Sequence, residues 1–389
     1  MFAIATPILP RRRWFRFSLR SLLIFTVLVC LLMGWIAEER RQSAREREIA
    51  DELKRDWLVY FAGPFDSPEL RATRQSQTWW RELASHVLGE RIYDLYPLDE
   101  QISDLTRLGE LQNLNRLSVS STQVEDLQPL TRLRTLKSLF ADDTKIHNLA
   151  ALSGQRELGR LEANHTLVSD LTPLAECRQL EVIDVGETQV SDLSPLAKCR
   201  QLKVIIVCET QVSDLWPLAR IKSLRELHAS ETHVHDLSPL AELENLDILV
   251  ISNTQVSNLS SLAKLKRLRM LFADATPVSD LKPLAGLANL ESLYVAMTQV
   301  NDLNPLAGVS KLELLDVSHT GTRDLSPLTG LTRLKELDAS HTRISDLTPL
   351  VKLKNLNYLN VNRTPVTKEQ IDALQKALPN CRIEPDLGF

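Results

Sequence analysis

The sequence predicts an α/β solenoid: an arc with a concave sheet of short parallel strands and a convex side of 3₁₀-like turns, preceded by one N-terminal transmembrane helix. Three observations carry this expectation. An Asp or Asn recurs every 22 residues from Asp104 to Asp346, with no insertion or deletion across twelve units. Inside each unit the apolar residues fall three apart and then two apart. Residues 21–37 are uncharged and follow Arg11, Arg12, Arg13, Arg16 and Arg20.

The repeat has the strictest pattern. Thr122 to Thr364 and Leu114 to Leu356 recur at the same 22-residue step, twelve of twelve in each case. In one unit the apolar positions are Leu193, Leu196, Cys199, Leu202, Ile205, Val207 and Val212. The two-residue step from Ile205 to Val207 marks a short strand. The three-residue step elsewhere suits a 3₁₀ turn better than the 3.6-residue period of an α-helix. So few apolar side chains cannot offset the entropy of ordering 22 residues, so a lone unit cannot fold and stacking is obligatory. Stacked strands lie about 4.8 Å apart, and because the turn side and strand side differ in width, the stack curves.

Segments such as Leu-Glu-Leu-Leu-Asp-Val-Ser-His-Thr-Gly-Thr-Arg-Asp-Leu-Ser-Pro-Leu (residues 312–328) resemble the 22-residue leucine-rich repeats of bacterial proteins of the internalin and phosphatase-regulator type. The resemblance spans residues 92–383. It implies a horseshoe or arc that binds a partner on its concave sheet. Thr122, Thr144 and their counterparts depart from the family, which usually has asparagine there. A hydroxyl donates and accepts, so a backbone-satisfying ladder is possible at shorter reach.

Each recurring Asp or Asn precedes Leu-x-x-Leu, with proline at the third place in nine of twelve units. This reads as a turn cap whose side chain accepts a backbone N–H, with proline where no donor is needed. A calcium ladder is the competing reading, but one carboxylate per turn makes a poor site. The array is assigned to residues 92–366, with Ile92 and Leu95 matching the strand positions before the first full unit. A C-terminal cap helix and last strand occupy 367–389. Thr367 to Gln370 forms a capping-box pattern opening a helix through Ala377, and Leu378, Cys381 and Ile383 fall in register as a final strand.

Before the array the chain divides into a basic N-terminus (1–20), a transmembrane signal anchor (21–37), a charged helical stalk (38–56) and an N-terminal cap (57–91) with a helix start at Ser67-Pro68. A 17-residue helix spans about 25 Å, short of the roughly 30 Å hydrocarbon core. Phe15 and Phe17 extend it while Arg16 and Arg20 snorkel, and Trp14 and Trp35 suit the interfaces. A cleaved signal or a buried soluble helix is the alternative, although Trp35 spoils a small-x-small cleavage site before Ala37. The acid-free basic start favours a cytoplasmic N-terminus, with the array outside in the periplasm or cell envelope.

Residues 1–56 hold eleven Arg/Lys against seven carboxylates, a surplus of +4; with a net charge of −4 overall, the rest carries −8. That acidic body, with only 12 glycines and 5% aromatics, disfavours nucleic acid, phosphate loops and base-stacking platforms. The five cysteines have no Cys-x-x-Cys spacing. Cys177 and Cys199 replace repeated leucines one unit apart, which suits core packing or a disulfide. Every regularly spaced Asp and Ser is explained by the repeat, so no catalytic site, cofactor or small-molecule substrate is expected.

A binding surface is expected instead on the strand residues between the inward ones. Val182, Val204, Ile206, Ile248, Val250, Met270, Phe272, Tyr294, Met297 and Leu314 form an apolar group there, flanked by carboxylates such as Asp184, Glu209 and Asp316. Such a group suits a protein partner with basic and apolar features, or records only hydrophobes scattered by repeat turnover. His319 and His341, one unit apart beside Asp316 and Asp338, are a weaker candidate for a transition metal. The function expected is protein binding by a membrane-anchored array. A structural, self-associating envelope protein and a cytosol-facing scaffold are the alternatives.

Overall fold

Alternation at period two puts Leu227, Leu249 and Leu271 on one side of successive strands, where all three are fully buried. Their flanking residues are left half-buried on the other side. The computed structural model describes the backbone of residues 19–62 and 91–384, and side chains from 24–60 and 92–384. The basic segment 1–18, the helix start at Ser67-Pro68 and the rest of 63–90 lie outside the described residues. The chain divides into two compact units, residues 1–52 with 61–92 and residues 53–60 with 93–389.

The second unit is a parallel-sheet solenoid. β1 (Trp57–Ala62) and β2 (Arg91–Pro97) precede twelve three-residue strands from β3 (Arg116–Ser118) to β14 (Tyr358–Asn360), and β15 (Arg382–Glu384) closes the order. All fifteen strands are neighbours in chain order. From β3 to β14 each strand pairs with the next in parallel at a 22-residue offset, as in Leu249 with Leu271 and Leu271 with Leu293. The strand β1 had no signal in the alternation pattern.

Opposite the strands stand twelve 3₁₀ turns, one per unit, each opening one residue after a leucine that follows the recurring Asp or Asn. The reason is a short hydrogen bond: Asp192 Oδ1 accepts the Ser194 N–H at 2.8 Å, and Asn258 does the same for Ser260. The hydroxyl and N–H of Ser194 together hold the Asp192 carboxyl below its usual range. Proline follows at a place where the turn needs no donor.

Where strand gives way to turn, every unit has a non-glycine residue with φ between 50° and 57°, from Ser121 to Arg363. This left-handed conformation costs about 1–2 kcal/mol for an L-residue. The threonine after it holds the bend in place. Thr254 Oγ1 donates to the Ile251 carbonyl at 2.6 Å, and all twelve threonines repeat the contact three residues back. The hydroxyls thus close a bend inside each unit rather than forming a ladder between units, because Oγ1 is too short to reach the neighbouring coil.

The array ends on α2 (Lys368–Ala377), counted after the N-terminal α1 (Leu19–Leu53). The capping box forms: Thr367 Oγ1 accepts the Gln370 N–H, and Gln370 Oε1 accepts the Thr367 N–H at 3.2 Å. The last strand is added, but not in the expected register: Ile383 pairs with Leu359 rather than with Val361, an offset two residues longer than the repeat, because the cap helix replaces the shorter 3₁₀ turn.

In the first unit α1 runs unbroken through the segments read as anchor and stalk. Its described apolar part is exposed, including Phe25, Leu28, Leu31 and Trp35. Among the described residues no helix is long and apolar enough to cross a membrane. The later part is not wholly solvated: Ser43, Glu46, Ile49 and Ala50 form a buried stripe at helical spacing. Glu46 Oε2 accepts the Ile92 N–H at 2.9 Å.

Candidate functional site

Parallel pairing at one offset sorts the outward strand residues into rows. Seven consecutive strands, β6 (Val182–Asp184), β7 (Val204–Ile206), β8 (Glu226–His228), β9 (Ile248–Val250), β10 (Met270–Phe272), β11 (Ser292–Tyr294) and β12 (Leu314–Asp316), carry eleven of the thirteen expected contact residues. The first row reads Val182, Val204, Glu226, Ile248, Met270, Ser292, Leu314. The second reads Asp184, Ile206, His228, Val250, Phe272, Tyr294, Asp316. Glu209 and Met297 stand off the strands, at the left-handed bends.

Within the second row, next to Asp316, the Phe272 and Tyr294 rings stack with centroids 4.5 Å apart and planes 7° from parallel. That distance follows from the strand spacing, which brings identical positions of adjacent units into van der Waals contact. Expected as open apolar surface, the strand members of the group are half-buried, because each is flanked by its counterparts on both sides. Met297 is the exception at 61% exposed.

The carboxylates have two roles that residue type alone does not separate. Asp184 and Asp316 accept the N–H two residues on, at 3.0 and 2.8 Å, and so tie down the strand ends. Asp142 and Asp274 each accept an N–H from the next unit, of Asn164 and Ala296. Burial pushes the carboxyls of Asp142, Asp184, Asp274 and Asp316 above their usual range. Glu187, Glu209 and Glu231 sit at bends and reach solvent. A groove of about 760 Å³ runs along these bends in the first half of the array, past Asp143, His165, Leu167, Glu187 and Glu209. His165 Nδ1 lies 2.6 Å from Asp143, and that hydrogen bond raises the imidazole pKa.

Among the cations on this face, Arg160 pairs with Glu162. The Arg116 and Arg160 guanidinium groups lie over the Phe140 ring, 5.4 and 5.7 Å from its centroid. Metal binding finds little support: His319 and His341 stack at 3.9 Å, but no group of three or more metal-ligating side chains exists among the described residues. Cys177 and Cys199 are free and buried in the core, and burial pushes their thiols up to about 12 and about 11. Cys208 is half-buried, and burial raises its thiol as well.

His228 interrupts the second row between Ile206 and Val250. Its Nε2 is buried without a hydrogen-bond partner and lies 4.0 Å from the Glu226 carboxylate. Burial lowers the imidazole pKa, against the opposing pull of Glu226 and Asp184. A folded pKa below the unfolded value means the unfolded chain binds more protons between the two, so stability is lost as pH falls below about 6.5. The wild type is therefore expected to lose more thermal stability than His228→Gln on going from neutral to mildly acidic pH. Parallel melting curves for the two proteins would refute this.

Comparison with known proteins agrees with this architecture. The family model described as leucine-rich repeats (2 copies) matches residues 332–376. No curated protein sequence matches the chain. Among solved structures, an internalin (inlF) of Listeria monocytogenes is similar at 27% identity and a TM-score of 0.73, over 76% of this chain and 87% of that one. A leucine-rich-repeat protein of Leptospira interrogans gives 18% identity and a TM-score of 0.66, over 74% and 82%. The plant peptide hormone receptor RGFR1, solved in complex with RGF2, gives 15% and 0.55, over 68% and 50%. The last two share the fold alone. The chain is a leucine-rich-repeat protein with internalin-like structural neighbours.

Proposed function

We propose that this protein is a membrane-anchored binding module that holds a protein partner with basic and apolar features on its concave sheet and performs no catalysis. The observation that carries the reading is the stacked Phe272 and Tyr294 pair within the second of two largely apolar rows, with Asp184 and Asp316 at the ends of that row. Large aromatic side chains ringed by charge are the usual anchors of protein interfaces. Leucine-rich-repeat proteins typically work through such contacts, and the plant receptor of the same fold was solved with its peptide ligand.

The anchor is assigned to residues 21–37, supported by the uncharged run in the sequence and the exposed apolar face of α1. The N-terminus is assigned to the cytoplasm and the array to the periplasm or cell envelope. A photoreactive phenylalanine analogue placed at Phe272 of the full chain, in its own membranes, is expected to give a discrete adduct with another protein. The same analogue at Trp216 on the convex side is expected to give none. No adduct at Phe272, or an adduct with a second copy of this chain, would overturn the reading. An alkaline phosphatase fused after Phe389 is expected to be active; activity only of a cytosolic reporter would reverse the topology.

A further inference from the structure

The bend that leads from each 3₁₀ turn back to the next strand carries a charge pattern unrelated to the concave face. Directly after the last buried residue of each turn stand Arg134, Arg156, Arg178, Arg200 and Lys222, the same position in five successive units. All five are exposed. Gln112 precedes the row and Glu244 ends it. Stacking places consecutive members roughly 5 Å apart, so the five cations form a single file of about 20 Å.

Little of this charge is neutralised within the chain. Arg178 pairs with Glu176 at 2.9 Å, and Lys198 shares that carboxylate at 3.2 Å. Lys222 Nζ donates to the Glu242 backbone carbonyl at 2.8 Å, which leaves its charge intact. Arg134, Arg156 and Arg200 make no ion pair among the described residues. Between Arg178 and Arg200 lies a depression of about 440 Å³ whose lining includes Gln179, Gln201 and Lys198. Guanidinium forks beside side-chain amides suit a ligand that presents carboxylates and hydroxyls together.

We propose that this row binds the chain of an acidic polysaccharide, one carrying a carboxylate on each sugar or nearly so. A single file of cations fits a linear polyanion better than a globular partner. Duplex nucleic acid calls for a broader basic surface, and here Glu157 and Glu176 flank the row. Single strands call for aromatic platforms, and the row has none. It also has no apolar side chain to enter a bilayer. The bends at the other ends of the strands carry Asp143, Glu187, Glu209 and Glu231, so the polyanion is repelled from that edge and directed to this one.

The full chain, solubilised in a neutral detergent, is titrated with a labelled oligogalacturonate and with a neutral maltooligosaccharide of equal length. The acidic oligomer is expected to bind, the neutral one not, and binding is expected to weaken as salt rises. Arg178→Glu with Arg200→Glu is expected to lower affinity by roughly tenfold or more. Arg134→Gln with Arg156→Gln lowers it less and guards against misfolding of the first variant, while changes at Phe272 and Tyr294 leave it unaltered. Equal binding of the neutral oligomer, indifference to both pairs of substitutions, or tighter binding of duplex DNA or anionic phospholipid vesicles would overturn the proposal.

Discussion

Replacing Phe272 and Tyr294 together by Asp is expected to remove capture of the concave-face partner while leaving the array folded. With the photoreactive analogue moved to Val250, beside Phe272 on the adjoining strand, adduct yield should fall sharply. Anchors of this kind contribute about 2 kcal/mol or more each, and the pair together on the order of 30-fold to 1000-fold in affinity. Both side chains lie on the open side of the sheet, and the buried column beneath them, Leu271 and Leu293, is untouched. Loss of the ring stack itself costs the fold only about 1 kcal/mol. Ser238→Asp with Ser260→Asp on the convex side serves as the control and should change nothing. Undiminished yield in the aromatic variant would show that the partner docks elsewhere.

The second large effect is expected at a single hydroxyl. Thr254→Val keeps the shape of the side chain but removes the proton donated to the Ile251 carbonyl. That carbonyl receives no backbone N–H among the described residues, so the substitution leaves a buried acceptor unsatisfied. The cost is about 1–3 kcal/mol, read as a lower midpoint in urea unfolding with the slope unchanged. Thr254→Ser retains the donor and should recover most of the loss. Equal midpoints for wild type and the valine variant would mean that the bend is held by something else. The effect in Thr232 and Thr276 should couple to that at Thr254, since the three bends stack one upon another.

The solenoid was legible because each of its devices needs a particular residue type once per coil. Leu249 must be apolar to fill the core, Asp192 must accept an N–H, and Thr254 must donate one. Such requirements repeat at the 22-residue step and can be read by alignment of the chain with itself. Surface positions obey no such rule, and the candidate site was legible only as a list of residues. The stack of Phe272 on Tyr294 depends on rotamers, and the backbone-tying role of Asp184 and Asp316 depends on where a strand stops. Both are geometric facts that residue type does not encode. The half-burial of the apolar rows comes from neighbours 22 residues away, which period-two reasoning within one strand does not weigh. The row from Arg134 to Lys222 is different: its five cations stand at the same 22-residue step and can be read from the sequence, although they lie outside the strand face. The strand at Trp57–Ala62 had no counterpart in the repeat to reveal it.

The uniform 22-residue offset from β3 to β14 makes the length of the array a quantised property. A tandem duplication of one whole unit adds a rung and returns every following side chain to its former row, whereas a gain of any other length sets a strand position where a turn must be. Gain or loss of whole units therefore changes the reach of the surface in increments of roughly 5 Å, with every surviving contact column preserved.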